Sequence, residues 1–191
     1  MSPAAFFALL VGCGGVSADI HSRDPDERRL GVLKLEGSRD AESIRLLTEH
    51  LADEDALVRE AAVTALASAG MKETLQHILP LLQDPGEMVR AAACRAVGRV
   101  GGETAIPELI PVAKHDRSLL VRRKAIDALA DHRRQDAALE TLIELVGDAN
   151  PSVSLAAHTA LLRVADLAEA ERSVESWNRW LSARRLTPAP K

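Results

Sequence analysis

Residues 84–101 read DPGEMVRAAACRAVGRVG: an aspartate, an arginine six residues on, then a run of small apolar residues. The pattern returns as DEDALVREAAVTALASAG from Asp53, DRSLLVRRKAIDALADHR from Asp116 and DANPSVSLAAHTALLRVA from Asp148, with a weaker copy, ERRLGVLKLEG, from Glu27. Recurrence at a period of 31 or 32 residues marks a solenoid, in which one supersecondary unit stacks on copies of itself. The fold class follows from this before any single site is considered.

Each unit reads as two helices. With the valine before the arginine as origin, apolar or small residues fall at plus four, seven and eight: Val58, Ala62, Ala65, Leu66; Val89, Ala93, Ala96, Val97; Val121, Ala125, Ala128, Leu129. Such spacing lines one face of a helix. Asp53, Asp84 and Asp116 stand a few residues earlier, where a carboxylate can accept from free backbone N–H groups and complement the helix dipole. The preceding helices carry larger residues, such as Leu75, Ile78, Leu79 and Leu82, or Leu139, Leu142, Ile143 and Val146. Pro80, Pro107 and Pro111 lie in these first helices and predict that they bend, above all where Pro107 and Pro111 occur together. Gly70, Gly98, Gly101 and Gly102 are expected to close helices or connectors, where positive φ is cheap for glycine.

Composition limits the function. Of 191 residues, 47% are hydrophobic and 27% charged, which excludes disorder for most of the chain, while 2% aromatic residues and no Tyr argue against a base-stacking platform. A net charge of −4 supplies no basic face for nucleic acid. Cys13 and Cys94 are too far apart in sequence to suggest a disulfide framework or zinc site, and Cys94 shares a repeat column with Val32, Val63, Ile126 and His158, a core position. The six histidines form no HExxH, and no phosphate loop or nucleophile elbow occurs. We expect no catalytic residue, metal or cofactor, and a protein or peptide as partner.

The succession of a proline-tolerant helix, an aspartate turn and VRxxAxxAL resembles a HEAT repeat of the short bacterial kind, from about Asp24 to Ala165. The resemblance implies an all-α, right-handed alpha-alpha superhelix of about five helical hairpins. In that family the turn aspartate and the arginine six residues on form a ladder between adjacent repeats, matched here by Asp53/Arg59, Asp84/Arg90 and Asp116/Arg122; the last copy has Ser154 where arginine is expected. The second helices of such a stack line its concave side, which places Arg95, Arg99, Arg123, Asp127 and Asp131 where a partner would lie, with Arg95 beside Asp127 and Arg99 beside Asp131. Some HEAT-like hydroxylases hold iron through His-Glu pairs that are missing here, and others act as bilin lyases, so a lyase or lyase accessory subunit is the enzymatic alternative.

The ends differ from the repeats. Residues 1–18, MSPAAFFALLVGCGGVSA, carry no charged side chain and suit the apolar region of a secretory signal. LVGC resembles a lipobox, which would place a lipid on Cys13 and tether the chain to the cell envelope; VSA offers ordinary signal cleavage before Asp19, and an unprocessed cytosolic assembly scaffold is the other alternative. Residues 19–165 form the repeat domain. In residues 166–185 Val174, Trp177 and Leu181 share a helical face with Trp180 close to it, a capping helix or else a partner-binding Trp pair. Residues 186–191 read as a disordered tail.

Overall fold

A computed structural model describes residues 20–186. The signal-like segment with Cys13, and residues 187–191 of the tail, lie outside the described residues. Among the described residues ten α-helices occur: α1 Pro25–Lys34, α2 Ala41–Glu49, α3 Ala56–Ala69, α4 Leu75–Ile78, α5 Glu87–Val100, α6 Ile106–His115, α7 Leu119–Asp131, α8 Asp136–Val146, α9 Pro151–Ala165 and α10 Val174–Leu186. No strand occurs among the described residues. The chain divides into two compact units between Ala96 and Val97.

In the first unit α1 packs on α3, and α2 on α3. Val58, Ala62, Leu66 and Leu47 are fully buried between them. The entry to α1 is closed by Ile20, also fully buried, which lies so near α1 that a Cβ on Gly31 would stand 2.6 Å from its backbone nitrogen. His50 holds the same segment, one ring nitrogen 2.7 Å from the Ile20 carbonyl and the other 2.8 Å from that of Leu46. The segment carrying Pro80 is the broken one. It runs as short 3₁₀ turns over Lys72–Thr74 and Leu79–Gln83 around the single turn of α4, because Pro80 lacks the N–H that would bond Gln76 and its ring crowds that carbonyl.

In the second unit α6 packs on α7, α7 on α9, and α8 on α9. The Pro107 and Pro111 segment, for which the strongest bend is predicted, is not broken as the Pro80 segment is: α6 runs as a continuous ten-residue helix. Pro107 sits in its first turn, where a missing N–H costs nothing, so only Pro111 interrupts the ladder. The glycines also divide in role. Gly70 and Gly102 do take positive φ, whereas Gly98 lies inside α5, where a Cβ would come 2.7 Å from that of Ala128. Absence of a side chain at Gly98 sets the close approach of α5 to α7.

The last helix begins later and ends later than predicted. Residues 167–173 are not helical, and Leu186 belongs to α10 rather than to a tail. The αL conformation of Asp166, φ 56°, ends α9, and α10 returns onto α8.

Candidate functional site

The turn aspartates do two things at once. Oδ1 of Asp53, Asp84, Asp116 and Asp148 each accepts the backbone N–H two residues on, closing the turn. The helix caps proper come later, from Asp55, Ser118 and Asn150. The carboxylates of Asp53, Asp84 and Asp148 then face an arginine of the preceding repeat. Arg59 donates through Nε and Nη2 to Asp84, at 2.8 and 2.9 Å, and Arg28 does the same to Asp53, at 2.7 and 2.9 Å. To its own aspartate, six residues back, Arg59 reaches only the backbone carbonyl, at 2.7 Å; Arg90 makes the same contact to the Asp84 carbonyl at 2.8 Å. Arg122 donates Nη2 to Asp148 and Nε to the Ala113 carbonyl. Arg28 and Asp148 are ladder residues that the motif did not single out. An arginine 25 or 26 residues ahead of an aspartate is the spacing that finds them.

These pairs are charged and nearly out of water. Burial pushes the Asp53 carboxyl up, but the hydrogen bond from Arg28 and the Asp55 N–H, with the charge of Arg28, outweigh it and hold the group below the usual carboxylate range. Asp148 is likewise held low: the Asn150 N–H and Arg122 overcome its burial. The hydrogen bond to Asp84 raises the pKa of Arg59, so this fork stays charged. Ser154 turns inward where arginine is missing and donates to the Val146 carbonyl at 2.6 Å.

The residues expected to meet a partner all point to solvent: Arg95, Arg99, Arg123, Asp127 and Asp131 are exposed on the second helices α5 and α7. Among the described residues Arg99 and Asp131, predicted to be neighbours, make no ion pair, and Asp127 faces Arg163 of α9 at 3.7 Å. A recess of about 320 Å³ lies beside it, lined by Ala130, Asp131, Arg133, Arg163 and Val164.

In α10 the two tryptophans part company. Trp177 is 1% exposed and donates Nε1–H to Nδ1 of His158, 3.1 Å away and itself buried. That bond requires a neutral imidazole protonated on Nε2, and burial, with the charge of Arg172, pushes the His158 pKa down. Trp180 is half-buried, edge-on to Trp177 and under the Arg184 guanidinium, 5.3 Å from the ring centroid. Arg185 pins the helix end to Asp136 and Glu140 of α8 at 2.8 and 2.6 Å. Cys94 is fully buried. Among the described residues no cluster of His, Cys, Asp or Glu could hold a metal ion, and no helix is long and apolar enough to cross a membrane.

Solved structures share this fold. The complex of CpcE and CpcF of phycocyanin lyase from Nostoc sp. PCC7120 is 18% identical with a TM-score of 0.64, over 91% of this chain and 70% of that one. A designed armadillo repeat protein in complex with the peptide (KR)4 is 22% identical with a TM-score of 0.55, over 93% and 92%. An engineered protein is 19% identical with a TM-score of 0.55, over 79% and 78%. No curated protein matches the chain in sequence. The family model for HEAT repeats matches residues 18–86, 44–130 and 106–175, so with its repeated helical hairpins the chain belongs to the HEAT-repeat family.

Proposed function

We propose that this chain is a non-enzymatic scaffold that holds a protein or peptide segment on the solvent face of its second helices, tethered to the bacterial cell envelope through a lipid on Cys13. The observation that carries the binding reading is a division of labour among charged residues. Arg28, Arg59 and Arg122 are tied to aspartates of the next repeat. Arg95, Arg99, Arg123, Asp127 and Asp131 stay in water on the other side of the second helices, where charge is free to select a partner. The tether rests on LVGC at Leu10–Cys13 alone; a cytosolic scaffold is the same reading without it. A bilin lyase or lyase accessory subunit has only a fold likeness at 18% identity behind it, and fold does not carry activity.

A photo-crosslinking amino acid at Thr64 or Thr159, exposed on second helices, should capture a partner in the source cells; at Gln76 or Glu108, exposed on the first-helix side, it should not. Absence of adducts from every second-helix position overturns the scaffold reading. For the tether, the mature chain expressed with its leader should begin at Cys13 and carry acyl mass; an intact, unlipidated chain leaves the cytosolic form.

A further inference from the structure

We infer that the partner segment bound by the second unit is acidic, with one carboxylate side chain entering the recess between Arg133 and Arg163. The inference rests on the scaffold reading and deepens it by naming the chemistry of the partner.

The chain as a whole is negative, with a net charge of −4, yet the second-helix face of this unit is not. Arg99 at the end of α5, Arg123 on α7, Arg133 just after α7 and Arg163 on α9 present four exposed guanidinium groups against the two carboxylates of Asp127 and Asp131. The helices carrying them are held close, α5 to α7 through Gly98 and Ala128. Their internal neutralisation is slight: the Asp127–Arg163 contact is 3.7 Å long between side chains each more than half exposed, a kind of pair that water and salt weaken readily. Ladder arginines of the same unit behave otherwise, Arg122 being spent on Asp148.

The recess gives the excess charge a place to act. Its volume of about 320 Å³ takes a glutamate side chain, with Ala130 and Val164 against the methylenes and the guanidinium groups of Arg133 and Arg163 for the carboxylate. Asp131 lines the same recess, so two guanidinium groups stand against one carboxylate there and leave one positive charge for an entering acidic side chain. Leu155, 52% exposed on α9 two helical turns before Arg163, offers an apolar contact to a neighbouring residue of the segment. Arg99 and Arg123 remain for further acidic groups.

The test uses the full chain and two fluorescein-labelled eight-residue peptides, one an alternating Gly-Glu repeat and the other an alternating Gly-Lys repeat, followed by anisotropy at low salt. The Gly-Glu peptide should bind at least about tenfold more tightly than Gly-Lys and weaken as salt rises. The double variant Arg133→Glu/Arg163→Glu, both exposed, should keep its helical circular dichroism, lose at least about tenfold toward Gly-Glu and gain toward Gly-Lys. Equal binding of both peptides, binding of neither, or Gly-Glu binding indifferent to the double variant overturns the inference. So does adsorption to vesicles containing phosphatidylglycerol through the same arginines without peptide binding. If crosslinking from Thr159 captures a partner while the Gly-Glu peptide fails, the acidic chemistry falls and the scaffold stands; if the peptide fails and no second-helix position gives an adduct, both fall.

Discussion

Two rungs of the same ladder are built with different thoroughness. In the first unit Arg59 meets Asp84 with two parallel N–H donors, and the side chains are 12% and 5% exposed. In the second, Arg122 gives Asp148 a single donor and turns its Nε to the Ala113 carbonyl, and the aspartate is 17% exposed. A planar fork matched to a carboxylate fixes angle as well as distance. A single donor leaves the angle to the surrounding packing. One motif therefore carries two tasks, locking repeat to repeat and second helix to first helix, and the balance shifts along the chain. Ser154 completes the shift: its hydroxyl keeps the contact to a carbonyl of its own repeat, at Val146, and drops the carboxylate partner altogether.

The sharpest way to break the comparison is to remove each carboxylate in turn. Asp84→Ala leaves the Arg59 guanidinium buried without its partner and opens the turn at Gly86, so it should cost about 3–5 kcal/mol. Asp148→Ala, on the wetter single-donor rung, should cost roughly half of that. Urea denaturation of the two variants checks the order, and equal losses would mean that the fork contributes nothing beyond its charge. Ser154→Ala comes next, at about 1–3 kcal/mol, since a buried carbonyl loses its donor. Gly98→Ala should cost about 1–3 kcal/mol for a different reason, the collision with Ala128.

The repeat made the fold legible because periodic apolar residues depend only on local helix geometry, and Val58, Ala62, Leu66 and their equivalents are buried as the pattern requires. The ladder was half legible. A motif of six residues shows which types recur, but the contact joins Arg59 to a residue 25 positions away, so Arg28 and Asp148 emerge only when the spacing between copies is considered. Proline positions did not separate the broken segment from the continuous one for a local reason: Pro107 falls in the first turn of α6, where it is harmless, and a helix start cannot be placed to one residue from apolar spacing. The surface charges were the least legible. Arg99, Asp127 and Asp131 were identified as exposed, yet which partner each takes depends on long side chains with many rotamers, and Asp127 took Arg163.

The smallest effect separates the units by pH. In the second unit the folded His158 has a lowered pKa, so the unfolded chain binds more protons as pH falls below about 6.5, and stability declines there. Above that value its contribution is complete. The ladder carboxylates Asp53 and Asp148, also held low, keep their contribution until pH falls below about 4, the ordinary carboxylate range, and lose it through their folded values. Acid should therefore loosen α10 before it opens the rungs, because protonation of His158 converts the acceptor of the Trp177 N–H into a second donor. Tryptophan fluorescence of the Trp180→Phe chain, in which Trp177 alone emits, followed between pH 7 and 5 should report this first step, with helical circular dichroism retained. His158→Phe should abolish the step while leaving the transition below pH 4 in place. A fluorescence change that persists in this variant would assign the step to another group and detach α10 from the histidine.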